Sequence, residues 1–228
     1  MMGSDMGLFL KLLRYCSLPR VFALGCALGL MSFVGISAAQ TAAPARTVLV
    51  VGDSLSAEYG LARGTGWVAL LDQRLSKEKP GTRVVNASIS GDTTFGGRSR
   101  LPALLSQHQP TLVVIELGGN DALRGLSLDA TRGNLEWMTQ QAKKIGAKVL
   151  LVGMQMPPNY GADYGRKFAD LYVQVSRSEK AALVPFFLHG VADVPNAANN
   201  FQADGIHPLA TAHPRMLDNV WPELKKLL

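Results

Sequence analysis

The stretch Val48-Leu49-Val50-Val51-Gly52-Asp53-Ser54-Leu55-Ser56 decides how this chain folds. Four apolar residues in succession, without the polar alternation of a half-exposed strand, describe a parallel strand buried on both faces. Gly52 breaks the run, and Ser54 follows just past the strand's carboxyl end. Ligands of open α/β sheets bind at that edge, so the Ser54 hydroxyl is a candidate nucleophile, although serine also fills helix N-caps very often.

Working outward, Trp67, Leu70, Leu71 and Leu75 recur at helical spacing, and Lys79-Pro80-Gly81 stops that helix. Arg83 to Ala87 reads as a second strand, followed by a polar turn from Ser88 to Thr94 and a short helix marked by Leu101, Leu104 and Leu105. Thr111 to Leu117 is a third buried strand, closing on the turn Gly118-Gly119-Asn120-Asp121. Within it, Glu116 is a carboxylate in an apolar run and reads as hydrogen-bonded at the strand end. Leu135, Met138, Ala142 and Ile145 form a helical stripe ended by Gly146, and Lys148 to Met154 is a fourth strand. Two prolines, Pro157 and Pro158, make the next stretch a loop. A helix through Tyr164, Phe168, Leu171, Tyr172 and Val175 then leads to a fifth strand, Leu183 to Leu188. Strands alternating with helices predict a three-layer α/β/α domain around a five-stranded, mostly parallel sheet of flavodoxin-like order 2-1-3-4-5.

The 228 residues suit one domain. Residues 1–39 differ from the rest: Lys11, Arg14 and Arg20 precede an uncharged run from Val21 to Ile36, then Ser37-Ala38-Ala39. A basic start, an apolar centre and small residues describe a cleaved secretory signal ending at Ala39, and hence a periplasmic or secreted protein. Residues 40–46 read as a loose lead-in and 47–228 as the folded domain. Both cysteines, Cys16 and Cys26, fall inside the signal. The mature chain therefore has neither disulfides, nor a cysteine nucleophile, nor thiolate metal ligands. Its charge drops from +6 to the mild +4 of 20 basic and 16 acidic residues. No run of basic residues interleaved with aromatics points to nucleic acid, and at most a transient contact with a membrane surface is expected.

In the predicted strand order, three neighbouring carboxyl ends bring Ser54, the turn at Gly91 and the turn at Asn120 together. A glycine N–H and an asparagine amide beside a serine hydroxyl are the parts of an oxyanion hole. The serine needs a base. Of the four histidines, His108, His189, His207 and His213, only His207 has a carboxylate at short spacing in a polar turn, Asp204-Gly205-Ile206-His207-Pro208. Pro208 keeps His207 out of the helical region and on the loop before a C-terminal helix. Asp204 is placed to hold its Nδ1–H. A metal site at Asp53, Asp121, Asp204 and His207 would use the carboxylates but leave Ser54, Gly91 and Asn120 without a role. No phosphate-cradling glycine loop follows the first strand.

Gly52-Asp53-Ser54-Leu55, Gly91 within Asn86 to Thr93, Gly118-Gly119-Asn120-Asp121 and Asp204-Gly205-Ile206-His207-Pro208 together resemble the GDSL, or SGNH, hydrolases. The chain looks closest to the bacterial exported thioesterase I group, also described as arylesterase and lysophospholipase. That likeness rests also on Leu101 to Leu105, Leu123-Arg124-Gly125 and Asn159-Tyr160-Gly161. It covers Thr47 to the C-terminus and implies the SGNH-hydrolase fold. It further implies Ser54 as nucleophile, His207 as base and then acid, and Asp204 as its orienter, with Gly91, Asn120 and the Ser54 N–H holding the oxyanion.

The activity so implied is hydrolysis of aryl esters, acyl thioesters or lysophospholipids through an acyl-enzyme, with no cofactor and no metal. The sequence does not reveal the oligomeric state, and a monomer is the expectation. Two alternatives use the same residues differently: deacetylation of cell-envelope polysaccharide, and non-catalytic binding of lipid or glycan. One departure is Leu209, where relatives usually carry a polar residue after the proline. Pro214 and Pro222 are expected to interrupt or start segments of the last helix.

Overall fold

Five strands form one sheet in the computed structural model of the protein, which describes residues 46–228. The segment read as a secretory signal lies outside the described residues, as does the lead-in through residue 45. The strands are β1 (Arg46–Gly52), β2 (Thr82–Asn86), β3 (Leu112–Glu116), β4 (Lys148–Val152) and β5 (Ala182–Val184). All pair in parallel, in the order β2-β1-β3-β4-β5 expected from the sequence. Arg46, read as lead-in, already pairs with Thr82.

The helices are α1 (Trp67–Glu78), α2 (Thr94–His108), α3 (Gly119–Leu123), α4 (Leu128–Lys144), α5 (Ala162–Glu179) and α6 (His213–Leu227). α1 packs against α6 on one side of the sheet, while α2 meets α4 and α4 meets α5 on the other. That division follows from right-handed crossovers, which send the helix after β1 and the helix after β2 to opposite faces. Val48 to Val51 and Leu112 to Ile115 are buried by both layers, which is why neither run alternates.

Most strand ends fall within a residue or two of expectation, and the larger differences have local reasons. β5 stops at Val184 rather than Leu188, because Pro185 has no N–H to continue the ladder. The Phe187 N–H reaches back to Gly153 O instead, at 2.8 Å. α2 starts much earlier than its leucines suggest: the Thr93 hydroxyl caps it by accepting the Gly96 N–H at 3.3 Å. The Gly118–Asp121 stretch, read as a turn, is mostly helix: Gly118 caps the short α3, which begins at Gly119. α6 is continuous, with Pro214 in its first turn and Pro222 on its exposed side, where the Asp218 carbonyl left without a donor can meet water.

One tie between layers joins the fold to the site. The first N–H of α1, on Trp67, has no partner in its own helix and donates to Nδ1 of His213, at the start of α6, at 3.0 Å. The Pro208 carbonyl, next to His207, lies near enough to the ring to favour its protonated form, against the larger effect of burial. An accepting Nδ1 requires a neutral ring, and burial lowers the His213 pKa below the ordinary 6.5. The unfolded chain therefore takes up this proton first. The His213 contribution to stability is complete above the unfolded pKa and is lost as pH falls below it. Thermal denaturation of wild type and His213→Gln should show a wild-type advantage at neutral pH that shrinks toward about pH 5. An advantage independent of pH would mean that the ring's protonation is not linked to folding.

Candidate active site

Ser54, Gly91, Asn120, Asp204 and His207 all sit at the carboxyl edge of the sheet. Ser54 lies in the turn after β1, where the Ser56 and Ala57 N–H groups both donate to Asp53 O. Its side chain is nearly buried, and its Oγ is 2.9 Å from Nε2 of His207. On the far side of that ring, Nδ1 is 2.6 Å from Asp204 Oδ2. The other Asp204 oxygen accepts the N–H groups of Ile206 (2.9 Å) and His207 (3.0 Å). These bonds, with that from the His207 ring, favour the carboxylate and hold Asp204 down at about 2.

The His207 loop has no regular structure, yet it is pinned on both sides. Gln202 N–H donates to His207 O and Leu209 N–H to Asn200 O, both at 2.7 Å, around an antiparallel bridge between Phe201 and Pro208. The Gln202 amide crosses to Tyr59 O at 3.0 Å, and the Tyr59 ring lies over the His207 ring at 4.3 Å. Tyr59 and Gln202 had no signal in the sequence, since neither belongs to a motif and they are far apart along the chain.

Asn120 is the second residue of α3, and its Nδ2 meets two oxygens: Asp92 O at 2.9 Å and Asp53 Oδ2 at 3.0 Å. Asp92 follows Gly91 and Asp53 precedes Ser54, so this one amide joins the loops after β1, β2 and β3. Among the described residues, neither the Ser54 N–H nor the Gly91 N–H donates to a protein acceptor. Arg100 on α2 supports the Gly91 turn: its guanidinium pairs with Asp92 (2.8 Å), donates to Ala87 O, and reaches Gly52 O at 3.3 Å. The Gly91 carbonyl accepts from Arg124 at 2.8 Å. Arg100 was missed because it sits mid-helix, where an arginine ordinarily reads as solvated.

Asp121 is turned away from this edge. It accepts the Thr94 N–H at 2.9 Å together with the hydroxyls of Thr94 and Thr131, so it fastens α2 to α3 and α4. Asp53, Asp121, Asp204 and His207 are thus not gathered as one ligand set, and among the described residues no three His, Cys, Asp or Glu side chains are. His207 is also not alone in having a close carboxylate. His189 Nδ1 is 2.7 Å from Asp193 Oδ2, four residues on, but this pair is exposed and its backbone is tied to Asn219 of α6.

A model described as the GDSL-like lipase/acylhydrolase family matches residues 50–215. Esterase TesA of Pseudomonas aeruginosa is 58% identical over 186 residues, 82% of this chain and 91% of that protein. Thioesterase 1/protease 1/lysophospholipase L1 of Escherichia coli K12 is 42% identical over 187 residues, 82% of this chain and 87% of that one. The crystal structure of TesA superposes with a TM-score of 0.77 at 58% identity, covering 80% of this chain and 100% of the other.

Gly118 sets the approach of α3, and hence of Asn120. Its φ of +120° suits only glycine, and a Cβ there would lie 2.3 Å from the Tyr172 hydroxyl, which donates to Leu117 O at 2.9 Å. Gly118→Ala should therefore lower stability by more than about 1 kcal/mol in urea denaturation. Adding Tyr172→Phe should relieve the steric part and leave the backbone part, so the two changes combine non-additively. Strict additivity would show that the hydroxyl is not the obstacle.

Proposed function

The chain belongs to the GDSL-like lipase/acylhydrolase family, and on that premise we propose that it hydrolyses carboxylic esters and thioesters by a serine mechanism with an acyl-enzyme intermediate. The observation that carries this reading is the hydrogen-bonded line Asp204–His207–Ser54, with steps of 2.6 and 2.9 Å, ending beside two backbone N–H groups that have no acceptor among the described residues.

Ser54 Oγ attacks the carbonyl carbon as His207 Nε2 takes its proton. Asp204, ionised throughout the neutral and mildly acidic range, keeps the Nδ1–H tautomer and stabilises the imidazolium. The negative oxygen of the tetrahedral intermediate is received by the Ser54 and Gly91 N–H groups and the Asn120 amide. His207 returns the proton to the leaving alcohol or thiol. A water molecule, deprotonated by His207, then attacks the acyl-serine and releases the acid. Every group that moves a proton belongs to the chain, so the reading calls for no cofactor.

The mouth of the site speaks for acyl chains longer than acetyl. Of the large apolar side chains exposed among the described residues, all but Ile145 lie on segments leaving the carboxyl ends of strands: Tyr59, Ile89, Phe95, Leu126, Tyr160, Ile206 and Leu209. Each methylene buried against such a rim is worth about 0.8 kcal/mol, so chain length should register in kcat/KM. The proposal extends to residues 1–39 as a cleaved export signal and to a periplasmic or secreted location. Sequencing the mature N-terminus tests both, with Gln40 as the expected first residue.

Hydrolysis of p-nitrophenyl esters of graded chain length is the direct test. Ser54→Ala should abolish turnover, and Asn120→Ala should lower kcat by about a hundred- to a thousandfold with the fold intact. Asp204→Asn should lower kcat steeply by leaving the ring in the wrong tautomer. Activity surviving Ser54→Ala would refute the mechanism. Phe95→Ser and Ile89→Ser should reduce kcat/KM for long esters while sparing acetate esters. A peak at acetate in the wild type would instead favour deacetylation.

A further inference from the structure

Two carboxyl groups beside Ser54 take no part in those steps. Asp53 and Glu116 are 3% and 2% exposed, at the ends of β1 and β3. Glu116 Oε2 accepts the Ser56 hydroxyl at 2.7 Å and the Asp53 N–H at 3.4 Å. The Ser56 oxygen is itself occupied by the Trp67 indole N–H at 3.1 Å, which leaves its proton for Glu116. Asp53 accepts the Leu55 N–H at Oδ1 and the Asn120 amide at Oδ2, both at 3.0 Å. The packing is close: a Cβ on Gly52 would lie 2.9 Å from Glu116 Oε2 and 2.8 Å from Ser56 Oγ.

No basic side chain hydrogen-bonds either carboxyl among the described residues. Arg100 is engaged by Asp92 and touches this region only at the Gly52 carbonyl. The other titratable groups acting on the pair are His207 across Ser54 and Tyr172 on α5, whose phenol is pushed well above its usual range by burial and by these carboxylates, with Asp121 beyond it. Two adjacent carboxyl groups in such a place do not both ionise. Burial and the neighbouring Asp53 charge push Glu116 well above the carboxylate range. Asp53, relieved by its N–H donors, rises only to about 6.

Asn120 presents a matching problem. Both of its amide hydrogens have oxygen partners, Asp92 O and Asp53 Oδ2, so one bond must be given up before the amide can serve an oxyanion. The bond to Asp92 keeps it beside Gly91. The exchangeable bond is the one to Asp53.

We propose that Glu116 is a positioning residue: as a neutral acid hydrogen-bonded to the Asp53 carboxylate, it satisfies Asp53 when the Asn120 amide turns from Asp53 to the oxyanion. This rests on the serine mechanism proposed above. No bond to substrate is involved; the Glu116 proton stays between two carboxyl groups while one N–H changes acceptor.

The test compares wild type, Glu116→Gln, Glu116→Leu and Ser54→Ala on one long p-nitrophenyl ester. Glu116→Leu removes the donor to Asp53 and should lower kcat by about tenfold or more at little-changed KM. Glu116→Gln supplies a neutral N–H donor of the same shape and should restore most of that loss. The infrared spectrum at neutral pH should show a protonated-carboxyl carbonyl band that disappears in Glu116→Gln, a readout that needs neither turnover nor a folded Glu116→Leu. Equal losses in the Gln and Leu variants, an undiminished kcat in the Leu variant, or no such band would each overturn the proposal. Turnover persisting in Ser54→Ala would refute the underlying mechanism instead, and the infrared result would still stand by itself.

Discussion

The amide of Asn120 bonds two oxygens from different loops, and most of the site depends on that bridge. One oxygen follows Gly91 and the other belongs to the residue before Ser54, so a single side chain sets the distance between both N–H groups left open at the edge. The bridge exists only because β1 lies between β2 and β3. In a strictly sequential strand order, the loop after β3 would be separated from the loop after β1. Topology therefore comes before chemistry here: the crossover that places β3 beside β1 makes a polar junction out of three distant glycine-containing turns.

Three carboxyl groups within this junction experience three environments. Asp204 is partly exposed and takes two backbone N–H bonds besides the imidazole, so it is a stable anion. Asp53 is buried but has two N–H donors, and stands intermediate. Glu116 is buried against Asp53 and is driven toward its neutral form. Identical functional groups are thus differentiated by the count of donors and by access to water, with no cation needed to do it.

Irregular loops carry all the site residues but Asn120, which lies in the short helix α3, and their order comes from hydrogen bonds that cross between elements. Arg100 braces the Gly91 turn, Gln202 spans from the His207 loop to Tyr59, and His213, at the start of α6, holds the start of α1. The buried aromatic contact of Trp67 with Phe187, 5.4 Å between rings, backs the same corner. Exposed apolar side chains lie on segments leaving this edge, in contrast to the buried strands below.

The sequence by itself determined the sheet and the cast of candidate residues. Unbroken apolar runs such as Val48 to Val51 identify buried parallel strands, because two covering layers abolish alternation, and the polar turns fall where those runs end. Short-range chemistry was legible for a similar reason: Asp204 and His207 are three residues apart, and a proline fixes the turn between their segment and the last helix. Contacts made across the chain were not legible. Tyr59 over His207, Arg100 beneath Gly91, His213 accepting from Trp67 and Glu116 against Asp53 join residues whose local patterns are those of an ordinary loop, helix or strand. The His189–Asp193 pair makes the same point in reverse, since a spacing like that of Asp204 and His207 arises on an exposed surface away from Ser54. Spacing constrains neighbours along the chain, whereas burial, and with it the protonation of Asp53, Glu116 and His213, is decided only when separate elements close over one another.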